Sequence, residues 1–198
     1  LSLGDRLPGL VLAYHGCDRK VGEKILAGED VIRPSENEYD WLGHGSYFWE
    51  NDPERALDYA KLLKKHPGRS RTPVNTPFAI GVVLDLGNCL NLLQAEHLSL
   101  VKQAHDTFVQ YLVSQELPIP QNRSVGPDKE LLLRQLDCAV IEFLHSATQD
   151  QPFDSVRGVF VEGKPLYPNA GFHSRNHIQI CVRELKCIKG YFRIAPKK

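Results

Sequence analysis

Methionine is absent from the 198-residue sequence, the first position included. A chain that opens on leucine is expected either to have lost its initiator or to be a piece of a longer protein. Long apolar runs are absent too. None approaches the ~20 residues that a bilayer-spanning helix needs, and no basic, apolar, small-residue pattern opens the chain as a secretory signal would. The expectation is a cytoplasmic protein with no membrane partner. An excess of one charge is also missing: Lys+Arg and Asp+Glu number 24 each. That excludes a bulk field gathering nucleic acid or anionic lipid, although a local basic patch remains open. The five cysteines (Cys17, Cys89, Cys138, Cys181, Cys187) include no CxxC pair. Zinc and a redox dithiol are therefore not expected, and no metal site is assigned. Scattered, odd-numbered thiols suit a reducing compartment.

What is present has the composition of one globular domain, spanning residues 1–198, with 42% hydrophobic and 24% charged residues. "LVLAYHGC" (10–17) reads as a strand that ends in a polar cluster. "RKVGEKILAGE" is a short helix with Gly28 near its end. "NDPERALDYAKLLKKH" is the clearest helix: Asn51 or Asp52 can cap it, Pro53 suits its first turn, and Glu54 complements its positive end. The densest basic run, "KLLKKHPGRSR" (61–71), is read as its solvated C-terminal end. "FAIGVVLDLG" (78–87) has core-strand character. "CLNLLQAEHLSLVKQAHDTFVQYLVSQ" is expected to be helical in two pieces, and "ELPIPQNRSVGP" to be loop. "DKELLLRQLDCAVIEFLHSATQ" is expected to be a helical hairpin or one long helix. "SVRGVFVEG" (155–163) and "HIQICVRELKCIKGYFRI" (177–194) are strand-rich, joined by a Gly/Pro/Asn loop over 163–176. The order gives an α+β fold with a mostly antiparallel sheet.

Three segments carry chemistry. His15-Gly16 ends the first strand, where an imidazole can meet a ligand hydroxyl and a glycine lets a ligand approach the backbone. In "WLGHGSYFWE", Gly43 and Gly45 precede three aromatic residues. On a strand Tyr47 and Trp49 share one side and Phe48 faces the other. The glycines are expected to clear a slot for something flat, with the Tyr47 face beneath it and its hydroxyl available for a hydrogen bond. Tyr59, on the capped helix, can form the opposite wall. Taken one at a time, a turn histidine, an aromatic core strand and a helix-to-core contact account for these residues as well.

Taken in order, "YHGC", "GHGSYFWENDPERALDYA" and "HIQICVREL" resemble the ADP-ribosyltransferase superfamily, in its diphtheria-toxin-like and poly(ADP-ribose) polymerase-like branch with a His-Tyr-Glu signature. The resemblance implies a split antiparallel β-sheet core of ADP-ribosyltransferase type with peripheral helices. It implies transfer of ADP-ribose from NAD, as substrate, to a macromolecular acceptor (protein or nucleic acid), with release of nicotinamide, as in a toxin or defence effector. His15 then matches the histidine on a ribose hydroxyl, and Gly16 the glycine whose backbone holds the nicotinamide amide. Tyr47 and Tyr59 match the two aromatics around the nicotinamide. The hydroxyl residue usual shortly before the second tyrosine is missing from "PERALDYA".

At the third signature position stands Gln179, not glutamate. A glutamine can hydrogen-bond a ribose but cannot accept a proton or stabilise a cation as an anion. Three consequences are open. The acceptor is already nucleophilic, or Glu162 or Glu50 supplies the carboxylate, or the domain binds NAD without turnover. An NAD-dependent RNA 2′-phosphotransferase-like enzyme is a further alternative, but that branch prefers His-His-Arg. Arg157 and Arg175 are candidates for a pyrophosphate, and Tyr167, Phe172 and His173 for acceptor contact.

Overall fold

The computed structural model describes residues 9–70, 72–124, 131–148 and 150–195. The chain is α+β. Its strands are β1 (Leu10–Asp18), β2 (Ser46–Glu50), β3 (Pro77–Asp85), β4 (Cys89–Asn91), β5 (Asn122–Ser124), β6 (Leu131–Arg134), β7 (Ser155–Phe160), β8 (His177–Val182) and β9 (Ile188–Phe192). Its α-helices are α1 (Arg19–Leu26), α2 (Pro53–Lys65), α3 (Ala95–Ser114) and α4 (Gln135–Ala147). Seven strands form one mixed sheet in the order β4-β7-β8-β2-β1-β3-β9. Its pairs are antiparallel except β4 with β7. β5 and β6 form a separate two-stranded ribbon.

Local chemistry accounts for most boundaries. Asp18 caps α1, accepting from Lys20 N–H, and its second oxygen takes the N–H groups of Asn75 and Thr76. Gly28, with φ +76°, turns the chain just beyond α1. Of the two candidate caps for α2, Asp52 does the work: its carboxylate accepts from Arg55 N–H at 2.9 Å, while Asn51 makes the turn with φ 51°. Three expectations need correction. Residues 89–91 are a strand rather than the start of a helix, and α3 then runs as one helix. Residues 131–134, expected to be helical, pair with 122–124, expected to be loop. Short apolar runs such as "CLN" and "LLLR" fit either periodicity, so a partner strand decides. The rest of that expected loop, 125–130, lies outside the described residues.

The two faces of the sheet are covered differently. One buries Ala13, Phe48, Ile80, Val82, Ile180 and Val182, with Ile25 of α1 among them. On the other face two groups of helices stand apart. α2 brings Ala56 against Trp49 and Ala79, over the β1–β3 side. α3 and α4 pack over β4, β7 and β8, burying Leu90, Val140, Ile141, Val156, Phe160 and Cys181. The alternation expected for the aromatic triplet holds. Phe48 enters the first core, and Tyr47 and Trp49 face the side that carries α2 and α4. Beside α2, residues of β2 and β8 (Tyr47, Trp49 and Gln179) floor a space whose other walls are the segment 33–45, Leu132, Glu162 and Arg175. No helix among the described residues is long and apolar enough to cross a bilayer.

Candidate active-site cleft

Between α2 and the segment 33–45 lies a cleft of about 500 Å³. His15, Tyr47, Trp49, Tyr59, Glu162, Arg175 and Gln179 all line it, with Arg33, Asp40, Arg55 and the α2 side chains Lys61 and Lys65. Residues singled out in the sequence and spread from position 15 to position 179, among them His15, Tyr47, Tyr59, Glu162, Arg175 and Gln179, therefore meet on one surface.

The cleft exists because β1 and β2 part. They pair at Ala13↔Glu50 and Tyr14↔Trp49, and Asn51 N–H donates to the Leu12 carbonyl at 3.0 Å. In that register Leu12/Asn51 and Tyr14/Trp49 are the hydrogen-bonded pairs, and Gly16 would be next, exchanging both bonds with Tyr47. The ladder stops first. The His15 ring takes the place of Gly16, with Nδ1 2.9 Å from the Tyr47 carbonyl oxygen. A carbonyl only accepts, so Nδ1 carries the proton and Nε2 keeps a lone pair. Burial, against the smaller pull of the Tyr47 carbonyl, holds the ring's pKa below its usual value, so it is neutral at pH 7. The alternation of the strand leaves the N–H and C=O of Gly16 directed into the gap.

Gly16 has a second reason to be glycine. A β-carbon there would overlap the Ala56 carbonyl oxygen, so α2 can lie on β1 only over a bare backbone. Gly43 and Gly45 differ from expectation in a similar way. Both have positive φ, +78° and +154°, and β-carbons there would strike Glu142 and Ile141 of α4, or Cys181 and the Val182 carbonyl. Their bareness admits α4 and β8, and of the two only Gly45 also lines the cleft. Tyr47 also departs from expectation. Its hydroxyl donates to the Gly43 carbonyl at 2.6 Å and accepts from Leu42 N–H at 2.9 Å. Only the ring is left for a ligand. Tyr59 leans on Trp49, ring centroids 5.0 Å apart at 45°. Gln179 pairs with Trp49 on one side and Gly158 on the other, which sets its side chain on the cleft face.

Arg157 does not line the cleft. Its odd position on β7 turns it to the opposite face, where its Nε and Nη2 donate to Glu50 at 2.6 and 2.8 Å. A pyrophosphate role for Arg157 and a catalytic role for Glu50 lose their geometric basis together. Glu162 does reach the cleft, but its Oε2 is 2.7 Å from Arg55 Nη2. Arg175 lines the cleft near Glu162, its N–H bonded to the Glu162 carbonyl at 3.0 Å. Tyr167 and Phe172 are exposed on the following loop, and His173 bonds the Gly163 carbonyl; none of the three lines the cleft.

The wall is largely polar, and among its residues Arg33, Asp40, Arg55 and Asp58 were missed by sequence reasoning. Six cations (Arg33, Arg55, Lys61, Lys65, Arg69, Arg175) face three anions (Asp40, Asp58, Glu162), so a neutral protein carries a net positive cleft. The run 61–71 is a helix end, as expected, and also a cleft wall; Arg71 lies outside the described residues. Trp49 Nε1 and Arg55 Nε are buried without an acceptor. In "SENEYD", the spacing of Ser35, Asn37 and Asp40 is a turn signal that could have marked this wall. The Asn37 side chain donates to Ser35 Oγ and Asp40 at 2.8 and 3.3 Å.

No family model matches the chain, and no solved structure matches it. An uncharacterized protein of Methanocaldococcus jannaschii is 28% identical over 199 residues, which cover 89% of this chain and 83% of that protein.

Proposed function

We propose that the chain is an NAD-dependent ADP-ribosyltransferase that moves ADP-ribose from NAD to a macromolecular acceptor and releases nicotinamide. The observation that carries the reading is the parting of β1 from β2. It puts His15, whose Nε2 can accept a hydrogen bond, and the Tyr47 ring on the cleft and leaves Gly16, next to His15 in the chain, without the β2 ladder partner that its register predicts; these are the three groups that the resemblance assigns to NAD. On this reading the parted sheet is the split core of ADP-ribosyltransferase type. His15 Nε2 accepts from a ribose hydroxyl. The Gly16 N–H and C=O hold the two ends of the nicotinamide carboxamide. Tyr47 offers a stacking face, with Tyr59 on the other wall. The cation excess, with Lys65, Arg69 and Arg175 at the rim, suits a pyrophosphate. Gln179 orients the ribose by hydrogen bonding. Such a site accelerates transfer by positioning and by fixed dipoles rather than by covalent chemistry.

One residue favours a second reading. Gln179 is not a carboxylate, which suits a module that binds NAD without consuming it. One assay separates the two: incubation with NAD, with and without cell lysate or 2′-phosphorylated RNA, following free nicotinamide and labelled acceptor. Nicotinamide release with labelled acceptor supports transfer. Binding without release supports the module. Release only with 2′-phosphorylated RNA favours a phosphotransferase, and neither binding nor release sinks the NAD readings altogether.

A further inference from the structure

The residues around the cleft show where a carboxylate remains available once Gln179 has replaced the expected one. Three line the walls: Asp40, Asp58 and Glu162. Lys61 neutralises Asp58 at 2.9 Å, and Arg55 holds Glu162 at 2.7 Å. Asp40 differs from both. It accepts from the Asn37 backbone N–H at 3.0 Å and from Asn37 Nδ2 at 3.3 Å, and among the described residues no Lys or Arg pairs with it. Asn37 thus fixes the carboxylate without cancelling its charge. Its field is felt at both Tyr47 and Tyr59, the residues that would flank the nicotinamide. The other titratable groups around it are His44, Cys138 and Cys181. Burial, opposed by its bonds to Ser35 and Asn37, pushes the Asp40 carboxyl above its ordinary range. A raised pKa makes a carboxylate a better proton acceptor near neutral pH.

We propose that Asp40 is the catalytic carboxylate of this cleft, supplying from the loop before β2 the charge that β8 lacks. The assignment rests on the ADP-ribosyl transfer reading. In the step it serves, the bond between ribose C1′ and the nicotinamide ring nitrogen breaks, and its electron pair leaves with neutral nicotinamide. The lone pair of the acceptor nucleophile forms the new bond to C1′. The proton lost by that nucleophile passes to the Asp40 carboxylate and then to solvent. While C1′ is electron-poor, the same anion stabilises the positive charge. No oxidant or metal enters the balance.

The test compares wild type, Asp40→Asn and Asp40→Glu in NAD binding and in steady-state nicotinamide release. Asn keeps an acceptor for Asn37 and removes the charge. The expected result is a kcat for Asp40→Asn lower by about 100-fold or more, the scale of a lost general base, with KM and NAD affinity within about threefold of wild type. Asp40→Glu keeps the charge and is expected to release nicotinamide faster than Asp40→Asn. It also serves if the asparagine variant does not fold, in which case a rate equal to Asp40→Ala overturns the proposal. A wild type that turns over NAD beside an Asp40→Asn variant of equal kcat overturns the Asp40 assignment and leaves the transfer reading standing. A wild type that neither binds nor cleaves NAD overturns both.

Discussion

His15 and Tyr47 each serve the backbone before they serve a ligand. The His15 ring satisfies the carbonyl that Gly16 abandons, and the Tyr47 hydroxyl ties down the loop that leads into its own strand. This sets the expected behaviour of conservative variants. Tyr47→Phe keeps the stacking face but strands Leu42 N–H and leaves the Gly43 carbonyl only the Cys181 thiol, at 3.6 Å, as donor. It is expected to lower stability by about 1–3 kcal/mol, the cost of unsatisfied buried groups, as read by urea denaturation. NAD affinity should fall far less than in Tyr47→Ala. A Tyr47→Phe protein as stable as wild type would show that the hydroxyl bonds are dispensable. Gly16→Ala drives a methyl into the Ala56 carbonyl and is expected to cost about 1–3 kcal/mol through overpacking. Gln179 has no such double duty. Gln179→Ala should lower nicotinamide release, and Gln179→Glu should maintain or raise it while altering acceptor labelling. Equal rates for wild type and Gln179→Ala would remove Gln179 from the reaction.

Among elements, α4 holds the glycine-rich loop that precedes β2. Glu142 Oε1 accepts from His44 N–H at 2.8 Å and from Arg183 Nη1 at 2.5 Å, and Arg183 also donates to the His44 carbonyl at 3.1 Å. One carboxylate on a helix thus joins the loop to the end of β8. Burial works against its charge, but Arg183 and His44 N–H outweigh it, so the carboxyl sits below its usual 4.5. A depressed carboxyl contributes stability that is present above the unfolded value and lost as the pH falls through the folded one. Glu142→Gln is therefore expected to lower stability at neutral pH by about 1–3 kcal/mol, the scale of charge-assisted bonds. It should also flatten the loss of thermal stability below about pH 4.5, checked by melting curves from pH 3 to 7. An unchanged acid limb in the variant would place the acid sensitivity elsewhere.

At the scale of the molecule, burial of histidine dominates the response to mild acid. His15, His145 and His177 are each held below the ordinary imidazole value of 6.5, in every case chiefly by burial. Unfolding at pH 6 lets each take up a proton that the folded chain refuses. Stability from these groups is then full above about pH 6.5 and falls as the pH drops through and below it, by up to about 1.4 kcal/mol per pH unit for each histidine. Denaturant midpoints should decline from pH 7.5 to pH 5.5. A flat profile over that interval would mean that the three rings titrate in the fold as they do in the unfolded chain. The charge distribution has its own signature. A neutral chain with a net positive cleft should bind NAD more weakly as salt rises and the Debye length shortens from about 10 Å at 0.1 M to about 3 Å at 1 M.

Some of this was settled by local sequence alone. The caps and periodicity of α2, the alternation of Tyr47, Phe48 and Trp49, and the strands of β1, β3, β7 and β8 depend on neighbours in the chain, so their residues declare them. His15, Tyr47, Tyr59 and Gln179 were legible because motifs mark them. The tertiary structure decided what depends on partners far away in sequence. Residues 89–91 and 131–134 became strands only because 155–157 and 122–124 lie beside them. Arg157 and Glu50 left the site because strand parity and a mutual ion pair turn them to the other face. Gly43 and Gly45 proved to make room for α4 and β8, since the atoms a β-carbon would meet come from residues 141–142 and 181–182. Asp40 carries no motif. Its distinction is to line the cleft with Tyr47 and Tyr59 and, among the described residues, with no Lys or Arg paired to it, and only the folded chain brings about that neighbourhood.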